Sequence, residues 1–198
     1  MAADNPDPPK ALPPAEAALR AEIDRLHAEL MQAKWAIADL EARADIDPLL
    51  DILNRRGFER ELSRAVAYVQ RYGTAAVLVC IDLDGFKAVN DRHGHAVGDE
   101  LLKAVARQLT GHIRASDVVA RLGGDEFAVL MWNLDATQAA AKARELEDAI
   151  ATVSHGQGEA RVGASAGVVT LSGTATPAEA VDAADKAMYA RKKERRGT

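Results

Sequence analysis

The chain has 198 residues, 48% of them hydrophobic, a formal net charge of -5 and a single cysteine, Cys80. That length holds one domain with a full core plus an appendage too small to fold alone. The negative balance gives no reason to expect nucleic acid or a membrane surface as partner, the lone thiol excludes an intrachain disulfide, and no apolar run approaches the ~20 residues of a spanning helix, so a cytoplasmic protein is expected.

Residues 1–15 are rich in Pro, Ala and Asp and are expected to form a disordered leader, since they carry too little apolar surface to order themselves. From Glu16 the pattern changes. Leu19, Ile23, Leu26, Leu30, Ala33, Ile37, Leu40 and Ala44 alternate steps of four and three. This narrow seam, flanked by charge, predicts a parallel two-stranded coiled coil over 16–46, a homodimerisation stalk in which Glu29 and Lys34 are placed for an interchain pair. The competing reading, an amphipathic helix folded back on its own domain, calls for a broader apolar face.

Pro48 ends that pattern and opens a new element. Asn54 can cap a helix through Phe58, Leu62, Val66 and Val69 to Tyr72, with Gly73 as its stop. The run from Ala75 to Ile81 is continuously apolar, which predicts a central strand covered on both faces. It ends in Asp82-Leu83-Asp84, whose two carboxylates share one face of an extended chain. A short helix from Phe86 to His93 follows, then a Gly-containing break, then a helix from Glu100 to Ile113. His93 and His95 form a lone His-x-His without a third ligand spacing, so a structural role is favoured over zinc.

The stretch Val118 to Trp132 reads as two β-prone runs around Gly123-Gly124, a hairpin whose turn uses positive backbone angles. Asp125 and Glu126 stand at its rim. Two carboxylates beside bare glycine backbone suit a place where metal-bound phosphate approaches the main chain; a plain solvated hairpin tip is the alternative. A helix from Ala136 to Ile150, a strand around Val162 to Leu171 and a last helix from Pro177 to Lys193 complete an α+β arrangement, a mostly antiparallel sheet with helices packed on it.

Gly123-Gly124-Asp125-Glu126-Phe127 resembles the signature of the GGDEF family, the diguanylate cyclases. Three further segments agree in type and spacing: Asp82 to Lys87 with Asn90-Asp91, Gly94-His95 and Gly98-Asp99; Arg114-Ala115-Ser116-Asp117; and Asp185 to Lys192. The resemblance implies a catalytic domain over 47–198 with a fold similar to the palm of nucleotidyl cyclases. It implies condensation of two GTP into cyclic di-GMP by a homodimer, with two Mg²⁺ ions per site and Mn²⁺ as an alternative. By the same resemblance the metal ligands are Asp82, the carbonyl of Leu83, Asp125 and Glu126, with Asp125 and Glu126 catalytic. GTP is expected to meet Phe86, Lys87, Asn90, Asp99, Gly123, Gly124, Lys192 and Arg196. Arg114 and Asp117 match the family's inhibitory product site, and Arg71 resembles a secondary arginine that some members supply to it.

Leu50, Asp51 and Arg195 depart from the usual pattern, away from the metal ligands. Two rival classes remain: a catalytically silent cyclic di-GMP receptor, and a structural coiled-coil dimer with an inert head.

Overall fold

The computed structural model describes residues 14–156, 160–171 and 175–196, without the side chains of 14, 17, 37–43 and 194–196. The chain divides into two units between Arg43 and Ala44. The first is carried by helix α1 (Pro14–Ala44). Proline at a helix start loses no hydrogen bond, so Pro14 opens the helix rather than closing the leader. Leu19, Ile23, Leu26 and Leu30 are 43–62% exposed along it, while Arg25 bonds Glu22 and Glu29 at 2.6 Å. Glu29 is therefore paired within its own helix. The leader through residue 13 and the side chains of Ile37 and Leu40 lie outside the described residues.

The second unit is built on a five-stranded sheet. Its strands are β1 (Leu53–Asn54), β2 (Ala76–Asp84), β3 (Val118–Gly123), β4 (Glu126–Trp132) and β7 (Gly163–Thr170), in the order β1-β3-β4-β2-β7. Among the described residues the β1–β3 pairing is parallel and the other neighbouring pairs of this sheet are antiparallel. A separate small hairpin pairs β5 (Ser154–His155) with β6 (Ala160–Arg161). The helices are α2 (Arg55–Tyr72), α3 (Phe86–His93), α4 (His95–Gly111), α5 (Ala136–Ala151) and α6 (Pro177–Arg196).

Strand alternation divides the core into two layers. Val77, Val79, Ile81 and Leu83 of β2, with Phe127, Val129 and Met131 of β4, meet α3, α4 and α5. Ala76, Leu78 and Cys80, with Ala128 and Leu130, meet Phe58, Leu62 and Val66 of α2 and Ala180 and Ala184 of α6. A strand so covered must be apolar on both sides, which is why the 75–81 run does not alternate. Truncating a fully buried Leu such as Leu78 or Leu130 costs about 2–5 kcal/mol. The α6 backbone lies hard against β7: a Cβ at Gly167 would meet the Ala184 carbonyl oxygen at 2.2 Å.

Asn54 caps α2 by accepting from Gly57 N at 3.0 Å, and Gly73 closes it in the left-handed region. α4 begins at His95 rather than Glu100. Gly98, which reads as a breaker in sequence, is a buried residue of its first turns, so tertiary packing overrides its low helix propensity.

Candidate functional site

The buried strand β2 delivers Asp82, Leu83 and Asp84 to one end of the sheet, opposite the β3–β4 turn. Asp82 is in register with Glu126 on one side and Ser165 on the other. Leu83 is buried, and its backbone N–H donates to the Asp125 carbonyl at 3.1 Å, fixing the turn against the strand. Ser165, itself fully buried, donates its hydroxyl to Asp84 at 2.8 Å. Lys192 reaches across from α6, donating to Asp82 Oδ1 and standing 3.9 Å from Asp84 Oδ1. Its ammonium touches both carboxylates, as expected for neighbours on one strand face.

The turn is held open at its glycines. Gly123 has φ 146° and Gly124 φ 51°, both positive, and the ladder shifts register between Arg121 and Gly123. Glycine occupies these angles without the strain an L side chain meets. Arg121 donates to the Gly124 carbonyl at 2.8 and 3.0 Å and pairs with Asp47 at 3.3 Å. Arg55 donates to the Leu122 carbonyl at 2.8 Å and lies 3.5 Å from Glu126. Two guanidinium groups thus hold the turn, Arg55 from the start of α2 and Arg121 from β3 itself, where it is anchored to Asp47. On the same side, Asp45 is 2% exposed and forms ion pairs with Arg56 and Arg60.

Asn90 lies at the α3–α4 junction, half-buried, and its Oδ1 has no hydrogen-bond partner. A Cβ at Gly98 would fall 1.9 Å from that oxygen, so the glycine makes room for the carboxamide. A buried carboxamide oxygen without a donor is costly unless a ligand supplies one. Phe86 is buried beneath, 3.2 Å from the same position. Asp99 is half-buried on α4, and Lys87 is exposed on α3. The Arg196 and Arg195 side chains lie outside the described residues.

Among the described residues no three His, Cys, Asp or Glu side chains form a ready metal cluster. The donors that β2 does present here, the carboxylates of Asp82 and Asp84 within reach of one ammonium, are oxygens, the type a hard cation takes beside substrate phosphates. Asp82 already faces a positive charge, that of Lys192, in a place screened from solvent: the two side chains are 16% and 19% exposed.

Arg114 and Asp117 belong to a second location, at the loop leading into β3. Asp117 accepts from Arg114 N at 3.0 Å and from Trp132 N at 3.2 Å. Beside them is a cavity of about 310 Å³ whose polar lining includes Gln138, Lys142 and Glu145. Arg71 is exposed at the end of α2, its guanidinium 5.4 Å from the Tyr72 ring centre.

Sequence reading missed Ser165, Arg121 and Arg55. Arg121 was visible as a lone charge inside an apolar strand run; Ser165 carried no signal before its strand was paired with β2.

Residues 44–198 match the family model described as diguanylate cyclase, GGDEF domain. The chain is 36% identical over 188 residues to the diguanylate cyclase TpbB of Pseudomonas aeruginosa, covering 91% of this chain and 42% of that one. It is 38% identical over 173 residues to the probable diguanylate cyclase DgcE of Escherichia coli, covering 85% and 16%. The chain thus spans less than half the length of these curated relatives. Among solved structures, the coiled coil and GGDEF domain of DgcB from Caulobacter crescentus, in complex with c-di-GMP, superposes with a TM-score of 0.75 at 26% identity, over 89% of this chain and 95% of that one.

Proposed function

The chain belongs to the GGDEF diguanylate cyclase family, and from that premise we propose that it condenses two GTP into cyclic di-GMP with release of two pyrophosphates. The observation that carries this reading is the meeting of Asp82, Lys192 and the Asp125 backbone at the end of β2, beside a glycine turn.

Each of two facing domains holds one GTP. The 3′-oxygen of one attacks the α-phosphorus of the other; the bond to the β-phosphate bridging oxygen breaks and pyrophosphate leaves, and the second linkage forms in the same way. Mg²⁺ held by Asp82, the Leu83 carbonyl, Asp125 and Glu126 would supply charge neutralisation of the triphosphate and lower the pKa of the attacking hydroxyl. Gly123 and Gly124 let the main chain lie against the phosphates, and Lys192, with Lys87 and Arg196, adds positive charge. Asn90 Oδ1 and the Asp99 carboxylate accept from the N–H donors of guanine, which adenine lacks at those positions.

The exposed Leu19, Ile23, Leu26 and Leu30 stripe supports a homodimer in which a second α1 covers it; linking the heads would raise their effective concentration. Residues 16–46 are read as this stalk and 47–198 as the catalytic head. No helix among the described residues is long and apolar enough to cross a membrane, and a cytoplasmic location is the working assignment. Product binding at Arg114 and Asp117 is read as feedback inhibition.

The deciding experiment incubates the purified chain with GTP and Mg²⁺ and identifies the nucleotide formed. Cyclic di-GMP from wild type, and none from Asp125→Ala, supports the proposal. Tight binding of cyclic di-GMP without synthesis would establish the receptor reading instead, which the Arg114–Asp117 cavity also permits.

A further inference from the structure

The cavity at Arg114 and Asp117 is about 310 Å³, at the lower end of the ~300–1,000 Å³ that drug-sized ligands occupy, so a ligand with two bases must extend beyond it. Three cavities adjoin it. One shares His112, Ala141 and Glu145 and adds Arg144 and Asp148, so its lining carries two carboxylates. A second shares Ile113, Arg114 and Asp117 and is otherwise lined by Ile52, Thr110, Ala115 and Val119, which offer no flat face. The third, also about 310 Å³, shares Trp132 and adds Tyr68, Thr74, Ser116 and Asn133.

Trp132 is the wall between the first and third cavities, and its backbone is tied to the Asp117 carboxylate, to which its main-chain N–H donates at 3.2 Å. Tyr68 meets Trp132 edge to face with ring centres 5.6 Å apart, and Tyr72 lies 4.6 Å from Tyr68. Both tyrosines are exposed, 48% and 58%, and Arg71 lies over Tyr72. Solvent-facing aromatic rings one helical turn apart, on an element whose other face supplies Phe58, Leu62 and Val66 to the core, contribute little to packing. They do present π-faces, and a guanidinium beside them, to a purine.

We infer that Tyr68, Tyr72 and Trp132 form a stacking platform for the second guanine of a guanine dinucleotide whose first half is held by Arg114 and Asp117. This rests on the product-site reading above and extends it to a base subsite supplied by α2 and the end of β4 of the same protomer.

The test measures cyclic di-GMP binding to the full chain by calorimetry. Tyr68→Leu, which keeps apolar bulk but loses the ring, should weaken binding about 5- to 100-fold, and Tyr68→Phe should restore it, as loss and recovery of one base stack require. Tyr72→Leu is the second variant, on a side chain too exposed to endanger folding. The chain has two tryptophans, so a Trp35→Phe background leaves Trp132 as the sole reporter, and ligand should quench its emission. Wild-type affinity in both leucine variants, with no Trp132 response, overturns the platform; if Arg114→Ala abolishes binding in the same assay, the product site itself stands. Failure of wild type to bind cyclic di-GMP, or unchanged binding in Arg114→Ala, removes the product-site reading and the platform with it.

Discussion

Lys192 of α6 donates to Asp82 Oδ1 of β2 across 110 residues of chain, at the one end of the sheet where the glycine turn also lies. The pairing depends on Gly167, whose lack of a side chain lets α6 settle onto β7. A largely buried ammonium beside two carboxylates is placed to meet a polyanion that brings its own cations. Asp82→Ala should abolish turnover. Lys192→Met, which keeps the stem and removes the charge, should lower kcat/KM about 100-fold. Pyrophosphate release checks both. Near wild-type rates in either would remove this end of β2 from the mechanism.

Gly98 gives a prediction in which stability and function move in opposite directions. Alanine in place of a helical glycine usually adds about 0.5–1 kcal/mol of stability. Here the new methyl would fall 1.9 Å from Asn90 Oδ1 and displace the carboxamide. Gly98→Ala should therefore fold normally yet raise the KM for GTP at least ~10-fold and erode preference for GTP over ATP. Unchanged KM with unchanged base preference would show that Asn90 does not read guanine.

These two cases show which parts of the architecture were legible in the sequence. Elements with local signals were readable: the Asn54 cap, the Gly73 stop, the continuous apolar β2 and the glycine turn all lie where composition and periodicity place them. β1 was not, because two residues carry no period and Leu53–Asn54 becomes a strand only by pairing with β3. The start of α4 was misplaced because Gly94 and Gly98 look like punctuation, whereas Gly98 is a packing requirement of Asn90. The tethers from Arg121 to Asp47, from Ser165 to Asp84 and from Lys192 to Asp82 span 74, 81 and 110 residues, beyond any local pattern. The family was legible through resemblance; the contacts that position these side chains were not.

Cys80 supplies a pH test of the core. Burial, with the negative charge of Asp185 adding to it, pushes its thiol from 9.0 up to about 12. A raised folded pKa stabilises the protein fully below the unfolded value, and that stabilisation is lost as pH rises from about 9 toward 12. By pH 10.5 the loss is about 2 kcal/mol. Melting temperature should fall more steeply with pH in wild type than in Cys80→Ala over this window, and Cys80 should resist thiol reagents at neutral pH. Parallel pH profiles would contradict the assignment.

The α1 stripe can be tested by removing it. A chain beginning at Ala44 keeps the second unit entire, including the Asp45 ion pairs with Arg56 and Arg60. Without α1 the meeting of two GTP-loaded heads is bimolecular, so activity per molecule should fall on dilution, while the full chain holds its specific activity over the same range. Specific activity independent of concentration in the truncation would place the dimer contact in the head.

Asp117 is fixed by two backbone donors, Arg114 N and Trp132 N, so its carboxylate is set in place before any ligand arrives. Arg114 itself is exposed and offers a planar fork that suits the O6 and N7 acceptors of guanine, or a phosphate, in bidentate fashion. This site draws on the β3 entry loop and α5, whereas the proposed nucleotide site draws on β2, the glycine turn and the α3–α4 junction. If product binds the first, it is therefore expected to act on the second through domain arrangement rather than by displacement. Cyclic di-GMP should lower Vmax without raising the KM for GTP, and in Arg114→Ala the concentration for half-inhibition should rise at least ~10-fold when each variant is compared with its own uninhibited rate. Initial-rate measurements over a grid of GTP and product concentrations decide it. Inhibition that is competitive with GTP, or that is equally strong in Arg114→Ala, would mean that product acts at the catalytic site and that this loop plays no regulatory part.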